Sequence, residues 1–148
     1  IIIIGFLTPM ILKILHKKYY SHLELHGYGT WFSPIWVLTK SSFMMIFLFV
    51  ILIPVYFVPV LNIIAFSIPF YYFFHKLLNF DVSSTILSAE QYKIIYEKEA
   101  NNFRLRTLFL YFISMIPFAT LFTAVYYIIY LGHSYFVKLE ELNKIENN

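Results

Sequence analysis

SSFMMIFLFVILIPVYFVPVLNIIAFSIPFYYFF, residues 41–74, decides the fold, because it runs for 34 residues without a charged side chain. A second stretch, TLFLYFISMIPFATLFTAVYYIIYLGHSYFV at 107–137, holds 31 residues without Asp, Glu, Lys or Arg. In water, a run of that length would expose a large apolar patch whichever face it buried. Uncharged apolar runs longer than about 18 residues are typical of membrane helices. The sequence therefore predicts an all-α membrane protein.

The composition indicates one membrane domain over residues 1–148 rather than several soluble domains. Hydrophobic residues make up 60% of the chain and charged residues only 13%, compared with about 25% charged residues in a typical soluble domain. The chain has no cysteine, which excludes disulfides and thiolate chemistry. Ile1–Leu12 is too short to cross about 30 Å of hydrocarbon. We expect it to be the end of a long transmembrane helix whose earlier part precedes Ile1.

Prolines interrupt both apolar runs near their middles, at Pro54 and Pro59 in the first and at Pro117 in the second. Each run could be one kinked spanning helix, or a hairpin whose two arms enter and leave by the same face. As one straight helix, residues 41–74 would measure about 51 Å, well beyond the hydrocarbon core. As a hairpin, the run would have arms of about 18 and 21 Å that turn inside the membrane.

The positions of the basic residues favour the hairpins. Lysine and arginine are confined to three segments, 13–40, 75–106 and the tail after 137. Kinked spans would place the most basic segment, 75–106, on the opposite side of the membrane from the other two. Hairpins keep all three on the cytoplasmic face, in agreement with the positive-inside tendency. We therefore predict two proline-broken, hemi-penetrating helical hairpins at 41–74 and 107–137, in a multi-pass protein with cytoplasmic basic connectors.

The segment between the hairpins predicts an amphipathic cytoplasmic helix over 88–106. Ser88 and Gln91 have the spacing of a capping box at its start. Its apolar stripe would be Ile94, Ile95 and Phe103, and its wet face would carry the charged residues Glu90, Lys93, Glu97, Lys98 and Glu99. We expect this helix to lie on the membrane surface or to dock on a partner.

The residues that catalysis requires are missing from the apolar runs. Neither run holds an acidic pair, and the chain has no glycine-rich phosphate loop and no G-x-S-x-G elbow. We predict no enzyme activity and no cofactor. His22 and His26 have the i, i+4 spacing that can bind a metal on a helix, but Glu24 is displaced from the zinc-protease position and Gly27 ends any helix. We expect hydrated histidines and no metal site, with metal handling a minor option.

Helix ends supply the candidate binding site. If the hairpin turns lie inside the membrane, the arm after each turn points its N-terminus, with free N–H groups and partial positive charge, towards the interior. That arrangement suits an anion and repels a cation. The candidate residues are Asn62, Thr120 and Thr123 beside these helix ends, and Arg104 and Arg106 at the membrane entry of the second hairpin. The alternative is that they cap helices, pack between them or anchor the topology.

The order of these features resembles a known family. The chain carries IP-x-x-x-x-P-V-L-N at 53–62, FYYFFHKLLNFDVSS at 70–84 and IPFATLFTAVYYIIYLGHSYF at 116–136. Over roughly residues 40 to 138 it resembles the CysZ-like sulfate permease family, also called the etoposide-induced protein family. The resemblance implies two long spanning helices and two hemi-penetrating hairpins, assembled as oligomers that conduct sulfate or sulfite inward. The anion-binding motif of that family lies near the start of the first long helix, which is expected before Ile1.

Together these features predict an integral protein of the cell inner membrane that acts as an anion channel or permease. Its expected partners are the lipid bilayer, a small inorganic anion such as sulfate or sulfite, and further copies of itself. No nucleic acid partner is expected. The alternative is a membrane scaffold or assembly protein without transport activity, which the amphipathic helix and the non-transport roles of eukaryotic relatives favour.

Overall fold

The computed structural model describes residues 2–30, 32–116 and 119–146. All regular secondary structure within these ranges is helical, which confirms the predicted all-α class. The helices, in chain order, are α1 Ile2–Tyr19, α2 Ser33–Ile51, α3 Ile53–Tyr56, α4 Leu61–Ile86, α5 Ala89–Ser114 and α6 Ala119–Glu146.

Helices α2 and α4 lie side by side and run in opposite directions. Near the end of α2, the ring of Phe49 lies 6.1 Å from that of Phe66 and 5.2 Å from that of Phe70, early in α4. Near the start of α2, Lys40 lines the same cavity as Lys76 in the second half of α4. The chain therefore folds back on itself between residues 51 and 61. The depth of this hairpin in the bilayer stays a prediction.

The turn between α2 and α4 is short and is built around two prolines. Pro54 lies in the first turn of the short helix α3, where its missing N–H costs no hydrogen bond. Val60 has a φ of 73°, in the left-handed region that branched residues rarely adopt, and it leads the chain into α4. The N–H of Asn62 then donates to the carbonyl of Val58 over 3.1 Å.

Helices α5 and α6 form a second antiparallel pair. The ring of Phe103 stacks on that of Tyr135 with centroids 4.3 Å apart, and Lys138 Nζ donates to Glu99 Oε1 over 3.0 Å. The predicted turn at Pro117 lies outside the described residues. Helix α5 crosses the expected division between the amphipathic helix and the second hairpin at 106–107. It continues through this point as one helix, and the Thr107 hydroxyl lies 2.6 Å from His75 Nδ1 of α4.

The helices are longer than the arms expected from apolar residues alone. At about 1.5 Å per residue, the 19 residues of α2 and the 26 of α4 measure about 28 and 39 Å. Both are long and apolar enough to cross a membrane. The added length comes from residues 33–40, which precede the uncharged run, and residues 75–86, which follow it; both segments are helical.

The core lies where α1, α4, α5 and α6 meet. Leu12, Ile128, Leu131 and Phe136 are fully buried there. At Gly132, a Cβ atom would lie only 2.6 Å from Leu12 Cδ2, so the glycine allows α1 and α6 to approach closely. This packing fixes α1 against the second hairpin.

The connecting segments gather at one end of the molecule. In the loop after α1, the N–H of His26 donates to Ile86 O over 3.2 Å, and the N–H of Tyr28 donates to Leu87 O over 3.1 Å. His22 in the same loop lies 3.6 Å from Glu140 near the end of α6. The loop after α1, the α4–α5 junction and the tail are thus neighbours, and the α2–α4 turn lies at the opposite end.

Candidate functional site

The structure separates the predicted helix-end residues from the predicted arginines. Asn62 is half-buried in the first turn of α4, and Thr123 is half-buried near the start of α6. Thr120 belongs to α6, but its side chain lies outside the described residues. Arg104 and Arg106 precede the end of α5 by ten and eight residues, about 15 and 12 Å along the axis. The four side chains that the structure describes therefore do not form one cluster.

Arg106 lies between α5 and α6 and bonds to both. Its Nε donates to Asn102 Oδ1 over 3.2 Å, and its Nη1 donates to Ser134 Oγ over 3.1 Å. The guanidinium also lies over the Tyr130 ring, 5.7 Å from its centroid. These bonds occupy two of its five N–H donors. No carboxylate lies within 4.0 Å of it in the described ranges, so its charge is not neutralised by a direct ion pair.

Arg104 has a different setting although it is only two residues away. Its side chain is exposed, and its Nη1 donates to Asn101 Oδ1 over 3.2 Å on the same helix. Its backbone carbonyl accepts a hydrogen bond of 2.8 Å from the Tyr71 hydroxyl of α4. The structure therefore places Arg106, and not Arg104, between the helices of the second pair.

Arg106 lines a cavity of about 180 Å³ between α5 and α6, which we call the Arg106 cavity. The residues that line it are Asn102, Phe103, Arg106, Tyr130, His133, Ser134, Val137 and Lys138. None of these carries a carboxylate. Tyr20 reaches it from the α1 side, with its hydroxyl 2.7 Å from His133 Nδ1. The cavity thus offers cationic and polar donors to a small ligand.

Lys138 also lines the Arg106 cavity, but ion pairs neutralise its charge. Lys138 Nζ donates to Glu99 Oε1 and to Glu141 Oε2, each over 3.0 Å. The hydrogen bonds from Asn102 and from Lys138 lower the pKa of Glu99, and those to Glu141 and Glu99 raise the pKa of Lys138. Glu99 and Lys138 are therefore charged near neutral pH, whereas the guanidinium of Arg106 has no carboxylate partner among the described residues.

A larger cavity of about 610 Å³, which we call the connector cavity, lies between the loop after α1 and the helices α2, α4 and α5. Lys40 and Lys76 line it from opposite sides of the first hairpin. Lys76 Nζ lies 5.9 Å from the ring centroid of Tyr72 and 5.5 Å from that of Tyr96. Burial raises the pKa of Tyr92, which also lines the cavity, so this phenol is neutral near pH 7. The lining therefore carries positive charge.

In the sequence, Lys40 and Lys76 flank the first apolar run on its two sides. We did not predict that they line one cavity. A signal was present, because residues at equal distances from the turn meet in an antiparallel hairpin. Phe49 contacts Phe66 across the hairpin. Lys40 lies nine positions before Phe49, so it is expected to face a residue nine or ten positions after Phe66, which is close to Lys76.

A buried polar network, also missed from the sequence, joins α4, α5 and α6. His75 Nδ1 lies 2.6 Å from Thr107 Oγ1 and 3.0 Å from Asn79 Nδ2, and His75 Nε2 lies 3.2 Å from the Tyr96 hydroxyl. Tyr135 donates to Asn79 Oδ1 over 2.6 Å. Because the Asn79 amide also donates to His75 O over 2.8 Å, its orientation is fixed and His75 Nδ1 accepts. The network satisfies polar groups that burial would otherwise leave at a cost.

The two histidines with metal-ligand spacing do not share a helix face. Residues 20–30 lie outside any helix, so the i, i+4 argument does not apply to His22 and His26. His22 Nε2 lies 3.6 Å from Glu140 and His26 Nε2 lies 3.8 Å from Glu24. Within the ranges described, no group of three or more His, Cys, Asp or Glu residues could hold a metal ion.

Comparison with known proteins gives one family. A family model described as sulfate transporter CysZ/etoposide-induced protein 2.4 matches residues 1–124 of the 148-residue chain. No curated protein and no solved structure matches the chain. The matched region includes the first hairpin, the whole of α5 and the start of α6. The chain belongs to the sulfate transporter CysZ/etoposide-induced protein 2.4 family.

Proposed function

We propose that this membrane protein provides a passive or weakly coupled pathway for a small oxyanion across the cell inner membrane. Sulfate is the first choice and sulfite the second, and we propose homo-oligomers as the working form. The family model names a sulfate transporter. The observation that carries the proposal is the Arg106 cavity, where a guanidinium without a carboxylate partner among the described residues faces a space whose lining includes Asn102, His133 and Ser134.

The chemistry of the Arg106 cavity suits a tetrahedral oxyanion. A guanidinium presents its donors in a planar fork that matches two oxygens of one anion. The Ser134 hydroxyl, which Arg106 already holds, and the amide of Asn102 add polar contacts beside it. At about 30 Å³ of liquid volume per water molecule, the cavity has room for an anion and a few waters. Such a site replaces part of the hydration shell that an anion loses on entering the protein.

The helix ends near the turns form a second proposed contact along this pathway. Asn62 at the start of α4, with Thr120 and Thr123 at the start of α6, would lie beside N-terminal N–H groups near the bilayer midplane. In this proposal, the helix ends contact the inward-moving anion within the membrane, and the Arg106 cavity holds it nearer the connector end, which is predicted to be cytoplasmic.

Labelled sulfate uptake into proteoliposomes containing the full-length protein tests the proposal. We expect Arg106→Gln to lower the initial rate about 10- to 100-fold, because a hydrogen bond to a charged group contributes about 1.5–3 kcal/mol. Arg104→Gln is the matched control, since it removes the same charge from an exposed position outside the cavity, and we expect less than a twofold change. Equal losses in the two variants, or no uptake above empty vesicles by the unsubstituted protein, would contradict the proposal.

A scaffold function is the second candidate, and one surface favours it. Glu90, Lys93, Glu97 and Lys98 are exposed along the first half of α5, and none of them forms an ion pair within the described ranges. Replacing these four by Gln in the same reconstitution separates the candidates. A pathway predicts unchanged sulfate uptake, whereas a scaffold predicts lost recovery of partner proteins and no uptake in either form.

A further inference from the structure

We propose that the connector cavity binds the head group of an anionic phospholipid whose acyl chain lies along the outer face of α2. The cavity carries Lys40 and Lys76. A second depression, of about 570 Å³, lies along α2 and is lined by Trp36, Thr39, Lys40, Phe43, Met44 and Phe47. Trp36 and Lys40 line both, so the two depressions adjoin each other, and we call them together the lipid groove.

The head of the lipid groove has unneutralised positive charge. Neither Lys40 nor Lys76 has a carboxylate within 4.0 Å in the part of the chain that the structure describes, and no Asp or Glu lines the connector cavity. Lys76 is held against the rings of Tyr72 and Tyr96, while Lys40 is exposed on α2. Two ammonium groups on facing helices complement one phosphate, which can accept from both.

The tail of the lipid groove is apolar and follows one helix face. Trp36, Lys40, Phe43 and Phe47 are spaced by four, three and four residues, so their side chains share one side of α2. Trp36, Phe43 and Phe47 are 70%, 71% and 56% exposed, although all are large and apolar. Helix α2 is one of the two candidate membrane spans. In a bilayer, this face would be covered by acyl chains.

The lipid groove has a cationic part and an apolar part, and this combination favours a lipid over a free anion. A free sulfate would engage the two lysines and leave the apolar tail without a role, whereas a phospholipid matches both parts in order along one surface. Lysines at this level also gain affinity from an anionic membrane surface, and Trp36 lies where aromatic rings meet head groups. The inference does not depend on the proposed function, because the Arg106 cavity is formed by α5 and α6.

Quenching of Trp36 fluorescence by brominated lipids tests the inference. The full-length protein, with every tryptophan except Trp36 replaced by Phe, is reconstituted in phosphatidylcholine containing a fixed fraction of either dibrominated phosphatidylglycerol or dibrominated phosphatidylcholine. We expect the phosphatidylglycerol to quench with an apparent association constant about tenfold higher. Lys40→Gln with Lys76→Gln should remove this preference. Lys93→Gln with Lys98→Gln, which removes two exposed lysines from α5, is the control and should retain it.

Three results would overturn the inference. The first is equal quenching by the two brominated lipids in the unsubstituted protein. The second is a preference that survives Lys40→Gln with Lys76→Gln. The third comes from vesicles of phosphatidylcholine alone, where a sulfate-induced change in Trp36 emission that requires both lysines, without any preference for phosphatidylglycerol, would assign the cavity to a free anion.

Discussion

Tyr135 is fully buried, and its hydroxyl donates a hydrogen bond of 2.6 Å to Asn79 Oδ1. Asn79 is itself 2% exposed and lies on α4, so this bond links α4 to α6 across the core. A buried carbonyl that loses its only strong donor keeps the full cost of desolvation. The Tyr135 ring also stacks on Phe103. The hydroxyl and the ring therefore make separable contributions to stability.

We expect Tyr135→Phe to lower the free energy of unfolding by about 1–3 kcal/mol, because the ring stack remains and Asn79 Oδ1 is left unpaired. Thermal unfolding of the purified protein in detergent measures this as a fall in midpoint temperature. Tyr130→Phe is the matched control. Tyr130 is half-buried on the same helix, and its hydroxyl makes no hydrogen bond to the described residues. A Tyr135→Phe midpoint equal to that of Tyr130→Phe would show that the bond adds nothing.

The polar network shows what single residues in this sequence could not reveal. His75 and Thr107 lie at the limits of the two apolar runs, and nothing in the sequence indicates that they pair. In the structure they are 4% and 0% exposed and face each other across α4 and α5. The apolar pattern shows only which segments lack charged residues. It does not indicate which polar residues of separate helices form hydrogen bonds with each other. Arg104 and Arg106 were predicted together from their residue type and position; of the two, Arg106 lines a cavity, and its role in anion binding stays a prediction.

At the scale of helices, local signals succeeded where their partners were close in sequence. The predicted capping box is present: the N–H of Gln91 donates to Ser88 Oγ over 3.2 Å, and the N–H of Ser88 donates to Gln91 Oε1 over 3.0 Å. The apolar stripe is confirmed for Ile95 and Phe103, which are buried, but Ile94 is 36% exposed. Non-helical backbone angles at Glu99 kink α5, and such a change in direction alters which residues share a face. A stripe drawn on a straight helix cannot include that kink.

The contact between α1 and α6 depends on Gly132. A Cβ atom there would meet Leu12 Cδ2 at 2.6 Å and Leu15 Cδ2 at 3.1 Å, and both leucines are buried. We expect Gly132→Val to lower the free energy of unfolding by about 1–3 kcal/mol through overpacking. Gly5→Val is the control, since among the described residues a Cβ at that glycine of α1 would meet only Asp81, at 3.7 Å. Thermal unfolding checks both, and a Gly132→Val protein as stable as the control would mean that α1 can shift without loss.

At the scale of the whole molecule, the α2–α4 turn has the properties of a segment in lipid. Residues 52–60 carry no charge, and Phe57 and Val60 are 82% and 75% exposed. In hydrocarbon, backbone groups need partners within the protein. The N–H of Val55 and that of Tyr56 donate to Leu52 O, and other bonds within the turn engage Val55 O and Val58 O. An apolar turn with such internal bonding agrees with the predicted hemi-penetrating hairpin, whereas its helices are long enough to span.

Cysteine labelling decides between these two depths, because the chain has no cysteine of its own. We expect Lys93→Cys, exposed at the connector end, to react with a membrane-impermeant maleimide only after cells are permeabilised, since the connectors are predicted to be cytoplasmic. We expect Val58→Cys, 43% exposed in the α2–α4 turn, to react under neither condition, because hydrocarbon excludes the reagent. Both variants must label in denaturing detergent as a control.

Labelling of Lys93→Cys in intact cells would contradict the cytoplasmic connectors. Labelling of Val58→Cys alone in intact cells would leave the connectors in place but make the hairpin fully spanning, and the helix ends beside Asn62 would then lie outside the membrane and lose their proposed role.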